Sequence, residues 1–271
     1  MKEVNEQLTR LAASSKKIES TPENFEHVIL SQEEITEALR IARECKHHEL
    51  HRRQYLEDLK KTPTYYKYTA KELLEGISQT ICQSGEPYVI DEENEVQIKK
   101  LCLYFAGDKR FETQYGLKLD KGLLLMGLLG NGKSHAMRFF QNNQMNSYNV
   151  VKARAIVKFW QNEVQEQAVK AVDYYSTNRE MEVNRFGHKI AGLCIDDLGT
   201  EAVPAIRFGD RRNVIEEIIL SRYDDQLPFN TTHITTNITE DEIESKYGSR
   251  VRDRLREMCN VIVFEGQSRR K

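Results

Sequence analysis

Apolar positions along the first third of the chain recur at loose helical intervals. Ser31 and Glu34 stand at capping-box spacing, where the hydroxyl accepts from the backbone N–H three residues on and the glutamate reaches back. Ile35, Leu39, Ala42, Leu50, Leu56 and Leu59 follow up to Lys60, a pattern that predicts a long helix. Thr62-Pro63 stops it, because the residue before proline is pushed out of helical space. Thr69 and Glu72 repeat the capping spacing and predict a short helix through Leu74, closed at Gly76. Residues 1–85 therefore read as a helical N-terminal region, with Ser84-Gly85-Glu86-Pro87 as the domain boundary. Its polar positions are dense in both signs of charge, which suits a solvated helical surface or a partner-docking module.

From Tyr88 the pattern changes. Asp91 is expected to cap a helix carrying Ile98, Leu101, Cys102, Tyr104 and Phe105. Short apolar runs then predict strands at Gly122–Met126, Asn149–Ala153, Ala191–Ile195, Thr232–Thr236 and Val261–Phe264. Between them, Ile156, Trp160, Val164, Ala168 and Val172 step by four, as do Val214/Ile215 and Ile218/Ile219. Strands alternating with helices predict an α/β domain over residues 86–271, a parallel sheet flanked by helices.

Candidate chemistry sits at the ends of these strands. Gly127-Leu128-Leu129-Gly130-Asn131-Gly132-Lys133-Ser134 satisfies G-x-x-x-x-G-K-[ST] and is followed by His135. Glycines let the backbone curl until successive N–H groups face a phosphate, Lys133 reaches the outer phosphates, and Ser134 can ligate Mg²⁺. About sixty residues on, the apolar run Ile190–Ile195 ends in Asp196-Asp197. Ligands of a buried parallel sheet lie beyond its C-terminal strand ends, where Asp196 can hold Mg²⁺ and Asp197 can polarise a water. The next strand ends in Thr235-Thr236-Asn237, and Asn237 can position that water by a neutral hydrogen bond. Turn chemistry leading into Ile238-Thr239 is the plainer reading of Asn237.

Arg250, Arg252, Arg254 and Arg256 alternate along the segment after Tyr247. On a helix Arg250 and Arg254 share a face, as suits an arginine finger reaching the γ-phosphate of a neighbouring subunit. A solvated basic face and contact with nucleic-acid phosphates are the rivals.

Bulk composition narrows the classes. The chain has 271 residues, 39% hydrophobic and 30% charged, with a formal net charge of −2. A charge so near zero argues against a protein that coats nucleic acid by electrostatics alone. The excess of positive charge is local, with eight Lys/Arg against three Asp/Glu from Lys246 to Lys271. No apolar run approaches the roughly 18 residues of a membrane span, so no membrane partner is expected. The first residues lack a signal-peptide layout. Five dispersed cysteines without a C-x-x-C pair read as reduced thiols of a cytoplasmic protein.

Gly-Leu-Leu-Leu-Met-Gly before the phosphate loop, Leu-Cys-Ile-Asp-Asp-Leu-Gly-Thr-Glu, Leu-Ser-Arg-Tyr, Thr-Thr-Asn and Gly-Ser-Arg-Val-Arg-Asp-Arg-Leu stand in that order. From about Lys121 to Gly266 this set resembles the AAA+ ATPases of the DnaC-type helicase-loader and IstB-type transposition-helper families. The resemblance implies a P-loop NTPase fold of the AAA+ type with a parallel five-stranded sheet, and ATP with Mg²⁺ as cofactors. It makes Asp196 and Asp197 the Walker B pair, Asn237 sensor 1, and Arg254 or Arg250 the finger of a homo-oligomer with subunit-shared sites. It further implies single-stranded DNA and either a replicative helicase or a transposase as partners, residues 1–85 filling the partner-gripping position. Few residues follow the last strand, so no C-terminal helical lid is expected. The long N-terminal region tilts the reading towards the loader. Two other classes stay open: a nucleotide or small-molecule kinase, and a nucleotide-gated scaffold with little turnover.

Overall fold

A computed structural model describes residues 29, 31–60, 65–81, 85, 87–162, 165–266 and 268. The chain divides into two units, residues 1–63 and 64–271.

In the first unit, helix α1 (Gln32–Lys60) begins at the expected capping box. Ser31 N donates to Glu34 Oε2 at 2.8 Å, and Glu34 N donates to Ser31 Oγ at 3.3 Å. Arg40 bridges Glu37 and Glu44 along the helix, pairs worth a few tenths of a kcal/mol each. Ile35, Leu39, Ile41 and Leu50 stay exposed, so among the described residues of this unit these four apolar positions are uncovered.

The second unit starts earlier than the boundary expected at residues 84–87, for a packing reason. Helix α2 (Ala70–Ser78) opens at the expected Thr69/Glu72 box and runs through Gly76 instead of ending there. It buries Ile77 completely against the core of helices α3 (Glu95–Ala106), α4 (Arg110–Tyr115) and α5 (Lys133–Phe139). Just ahead of it, Gln144 Nε2 donates to Tyr68 O at 2.7 Å, anchoring the chain. The N-cap of α3 is Asn94, not the expected Asp91. Asp91 instead accepts the N–H of Glu93 on its side chain at 3.0 Å and that of Glu95 on its carbonyl at 2.8 Å.

All five expected strands form: β1 (Gly122–Gly127), β2 (Tyr148–Lys152), β4 (Ile190–Leu198), β7 (Thr232–Thr236) and β8 (Cys259–Phe264). They pair in the order β2-β4-β7-β1-β8, every pair parallel. The expected fold class is therefore present: a parallel five-stranded sheet flanked by helices with the phosphate loop at a strand end. Side chains alternate across the strands. Leu124, Met126, Leu193 and Ile195 enter one core with α6 (Ala153–Asn162), α7 (Gln165–Ser176), α8 (Val214–Asp224), α9 (Glu240–Tyr247) and α10 (Ser249–Met258). Leu123, Leu125, Cys194, Ile262 and Phe264 enter the other.

The expected continuous step from Ile156 to Val172 is divided between α6 and α7; Val164 lies outside the described residues, as does the side chain of Ala168. Two features carry no hydrophobic signal and went unpredicted: β3 (Arg179–Glu180), antiparallel to β4, and the hairpin of β5 (Ala205–Arg207) and β6 (Asp210–Arg212). Among the described residues no helix is long and apolar enough to cross a membrane. Cys45, Cys102, Cys194 and Cys259 are free thiols.

Candidate nucleotide site

Parallel pairing brings the C-terminal ends of β1, β7 and β4 side by side. β1 delivers Gly127, with φ 141°, into the loop. A Cβ there would lie 2.1 Å from Phe264 O, so only glycine allows β8 to pair so closely. Gly130 and Gly132 turn the chain with φ of 88° and 92°, a region L side chains rarely adopt. No hydrogen bond among the described residues takes the N–H groups of Gly130, Asn131 or Gly132. Such a curl of free amides is an anion-binding concavity. Leu128 and Leu129 are exposed at its apex.

Asn131 braces the loop from beneath: its Nδ2 donates to Phe264 O at 2.9 Å, and its Oδ1 accepts from Lys133 Nζ at 2.8 Å. Lys133 also donates to Gly127 O at 2.8 Å and Leu128 O at 2.9 Å. These three acceptors are neutral oxygens, which an arriving polyphosphate can outcompete. Ser134 is half-buried at the start of α5. His135 stacks on Tyr88, with ring centroids 4.9 Å apart and planes 10° from parallel. Burial and then the Arg138 charge hold its imidazole below the usual histidine range. Its Nε2 is a buried polar atom without a partner.

Asp196 and Asp197 diverge at an irregularity. The β4–β7 register shifts between Ile195 and Leu198, and Asp197 takes φ 58°. Such a bulge re-aims side chains. Asp196 is fully buried; its Oδ1 accepts from Thr235 Oγ1 at 2.7 Å and its Oδ2 from Arg138 Nη2 at 2.8 Å. Asp197 is half-buried, and its N–H donates to the same Thr235 Oγ1 at 2.9 Å. One hydroxyl thus holds the Asp196 carboxylate and the Asp197 backbone together. Glu201, further along, accepts from the buried Tyr247 hydroxyl and from Gly199 N.

Asn237 follows directly on β7 and is exposed. Arg250 and Arg254 share one face of α10, as expected of residues four apart, and both meet the end of α8. Arg250 pairs with Asp224 at 3.2 Å. Arg254 lies 4.1 Å over the Tyr223 ring and donates to Glu257 at 3.3 Å, with its Nε buried and unpartnered. Arg252 pairs with Glu244, and Arg256 with Glu240. The basic run is thus ion-paired along its length.

The donors suit a nucleoside triphosphate with Mg²⁺: free loop amides, a lysine on neutral acceptors, a serine, and a buried carboxylate two strands away. Arg138 takes the Asp196 oxygen that Thr235 leaves open. The sequence reading gave no role to Tyr88, Arg138 or Thr235. Arg138 left a signal as a charge amid the apolar positions Ala136, Met137, Phe139 and Phe140, and Thr235 left one as a hydroxyl in the polar end of β7.

No protein-family model matches the chain, and no curated protein matches its sequence. Among solved structures it is similar to DnaI, at 20% identity over 76% of this chain and 96% of that one, TM-score 0.45. It is also similar to the DnaC helicase loader, at 17% identity over 66% and 93%, TM-score 0.43. A third similar structure is AMPPCP-bound DnaA from Aquifex aeolicus, at 13% identity over 66% and 48%, TM-score 0.41.

Proposed function

We propose that the chain is a Mg²⁺-dependent ATP-binding and ATP-hydrolysing AAA+ protein that assists DNA replication, loading a replicative helicase onto single-stranded DNA. One observation carries the ATPase part: Arg138, on the helix that leaves the phosphate loop, and Thr235 of β7 both hold Asp196 at the acidic strand end. The replication role draws on the family resemblance of the ordered motifs.

The loop amides and Lys133 would bind the β- and γ-phosphates, and Ser134 with Asp196 would hold Mg²⁺. The ion, when bound, neutralises phosphate charge. Asp197 would accept a proton of the attacking water at its carboxylate, and Asn237 would orient that water. Arg254 or Arg250 would act across a subunit boundary, which requires its intramolecular partners to yield. The N-terminal region with α1 would grip the protein partner; its uncovered apolar positions suit that task. An IstB-like role beside a transposase uses the same site. A nucleotide-gated scaffold with little turnover gains support from Asp196, both of whose carboxylate oxygens already accept from the protein.

The test is ATP turnover per protomer against protein concentration, with and without single-stranded DNA. A rate that climbs with concentration and with DNA supports shared sites and a nucleic-acid task. Lys133→Ala should abolish nucleotide binding or turnover, and unchanged hydrolysis would remove the phosphate-loop assignment.

A further inference from the structure

The hairpin of β5 and β6 turns at Phe208 and Gly209, whose φ values are 47° and 87°. Two consecutive left-handed residues make a tight hairpin turn, a geometry that suits asparagine or glycine and not an aromatic. Burial does not compensate, because Phe208 is 91% exposed. The Arg207 guanidinium carbon lies 5.4 Å from the Phe208 ring centre and 5.9 Å from that of the buried Trp160. Arg211, on the returning strand, is exposed and forms no ion pair among the described residues. Arg212 is engaged by Asp210 and Glu217.

Helix α6 supports this hairpin: Gln161 Nε2 donates to Ile206 O at 3.1 Å. Arg154, Lys158 and Gln161 are four and three residues apart, hence on one face, and Arg154 and Lys158 are exposed. Basic positions therefore run along α6 to the foot of an arginine-flanked aromatic tip.

We propose that the β5–β6 tip, Phe208 between Arg207 and Arg211 with Arg154 and Lys158 behind it, contacts single-stranded nucleic acid. This deepens the functional reading above and rests on it for its occasion in the cell. A single strand alternates accessible base faces with phosphate anions, which one exposed ring among guanidinium groups complements. A duplex hides its base faces in the stack. A protein partner calls for a wider apolar patch, and here only Phe208 and Ile206 are large, apolar and exposed on the hairpin.

The test is fluorescence anisotropy of a labelled oligothymidine titrated with the full chain. Phe208→Ala should weaken binding about ten-fold, and Phe208→Trp should keep it, as expected of a stacking platform. Arg211→Gln should flatten the salt dependence by about one unit of slope. Phe208→Asn, at ease in the left-handed turn, should fold as the parent does and still lose binding, which separates contact from misfolding. Equal oligothymidine affinity for the parent and Phe208→Ala would overturn the proposal. So would equal affinity for duplex DNA, or loss of a protein partner while oligothymidine binding persists. A fluorescent ATP analogue, titrated in parallel, separates the two readings. A chain that binds oligothymidine through Phe208 but no ATP defeats the ATPase and leaves this surface standing.

Discussion

Arg138 Nη2 donates to Asp196 Oδ2 at 2.8 Å, joining the helix after the phosphate loop to the strand that carries the acidic pair. The carboxylate is wholly buried and the guanidinium about one-third exposed, at 36%. The arginine therefore sits where a cation from solvent would approach the remaining oxygen. Arg138→Met should lower the Mg²⁺ concentration for half-maximal nucleotide binding about ten-fold, the equivalent of about 1.4 kcal/mol. It should also destabilise the fold by about 1–3 kcal/mol, since a buried carboxylate loses a donor. A Mg²⁺ titration followed by a fluorescent nucleotide reads the first effect; a raised Mg²⁺ requirement would mean that Arg138 assists the ion instead.

Thr235 is predicted to be a positioning residue. Its hydroxyl spans Asp196 Oδ1 and the Asp197 N–H. Thr235→Val keeps the shape and removes both bonds, so turnover should fall about 10–100-fold, as for other groups that orient metal ligands. Nucleotide affinity without Mg²⁺ should change little, and Thr235→Ser should restore turnover. Equal turnover in the valine and serine variants would refute the role.

If Arg254 completes a neighbour's site, Arg254→Ala should leave nucleotide binding intact and lower turnover about 10³-fold or more. Mixing it with Asp197→Asn protomers should restore part of the activity, because some interfaces then pair an intact arginine with an intact aspartate. If no mixing ratio restores activity, the shared-site assignment fails.

His233 should make stability sensitive to acid. Burial, then the Arg222 charge, pushes its imidazole down to about 3, while an unfolded chain protonates near the ordinary histidine value of about 6.5. Below that value the unfolded state binds a proton the folded state refuses. Stability from this group is therefore fully present above about pH 6.5 and is lost as pH falls towards 3. The slope approaches about 1.4 kcal/mol per pH unit. Urea denaturation at pH 7 and pH 5 should show His233→Gln losing about 1–2 kcal/mol less than the parent over that interval.

The sequence alone determined the five core strands, because short runs of apolar and β-branched residues suit a buried sheet, and it determined the phosphate loop, because its glycines are demanded locally. The capping boxes at Ser31 and Thr69 were likewise legible, being contacts between residues three apart. Gly76 misled, since its place inside α2 depends on a Phe139 ring packed 3.2 Å from its absent Cβ. Tertiary structure decided what lies between strands: that Thr235 bridges the Asp196 carboxylate and the Asp197 backbone N–H, that Arg138 reaches Asp196, and that Tyr88 stacks on His135. Each pairs residues distant in the chain, and no local period encodes a contact whose energy exists only once parallel strand ends have been brought together.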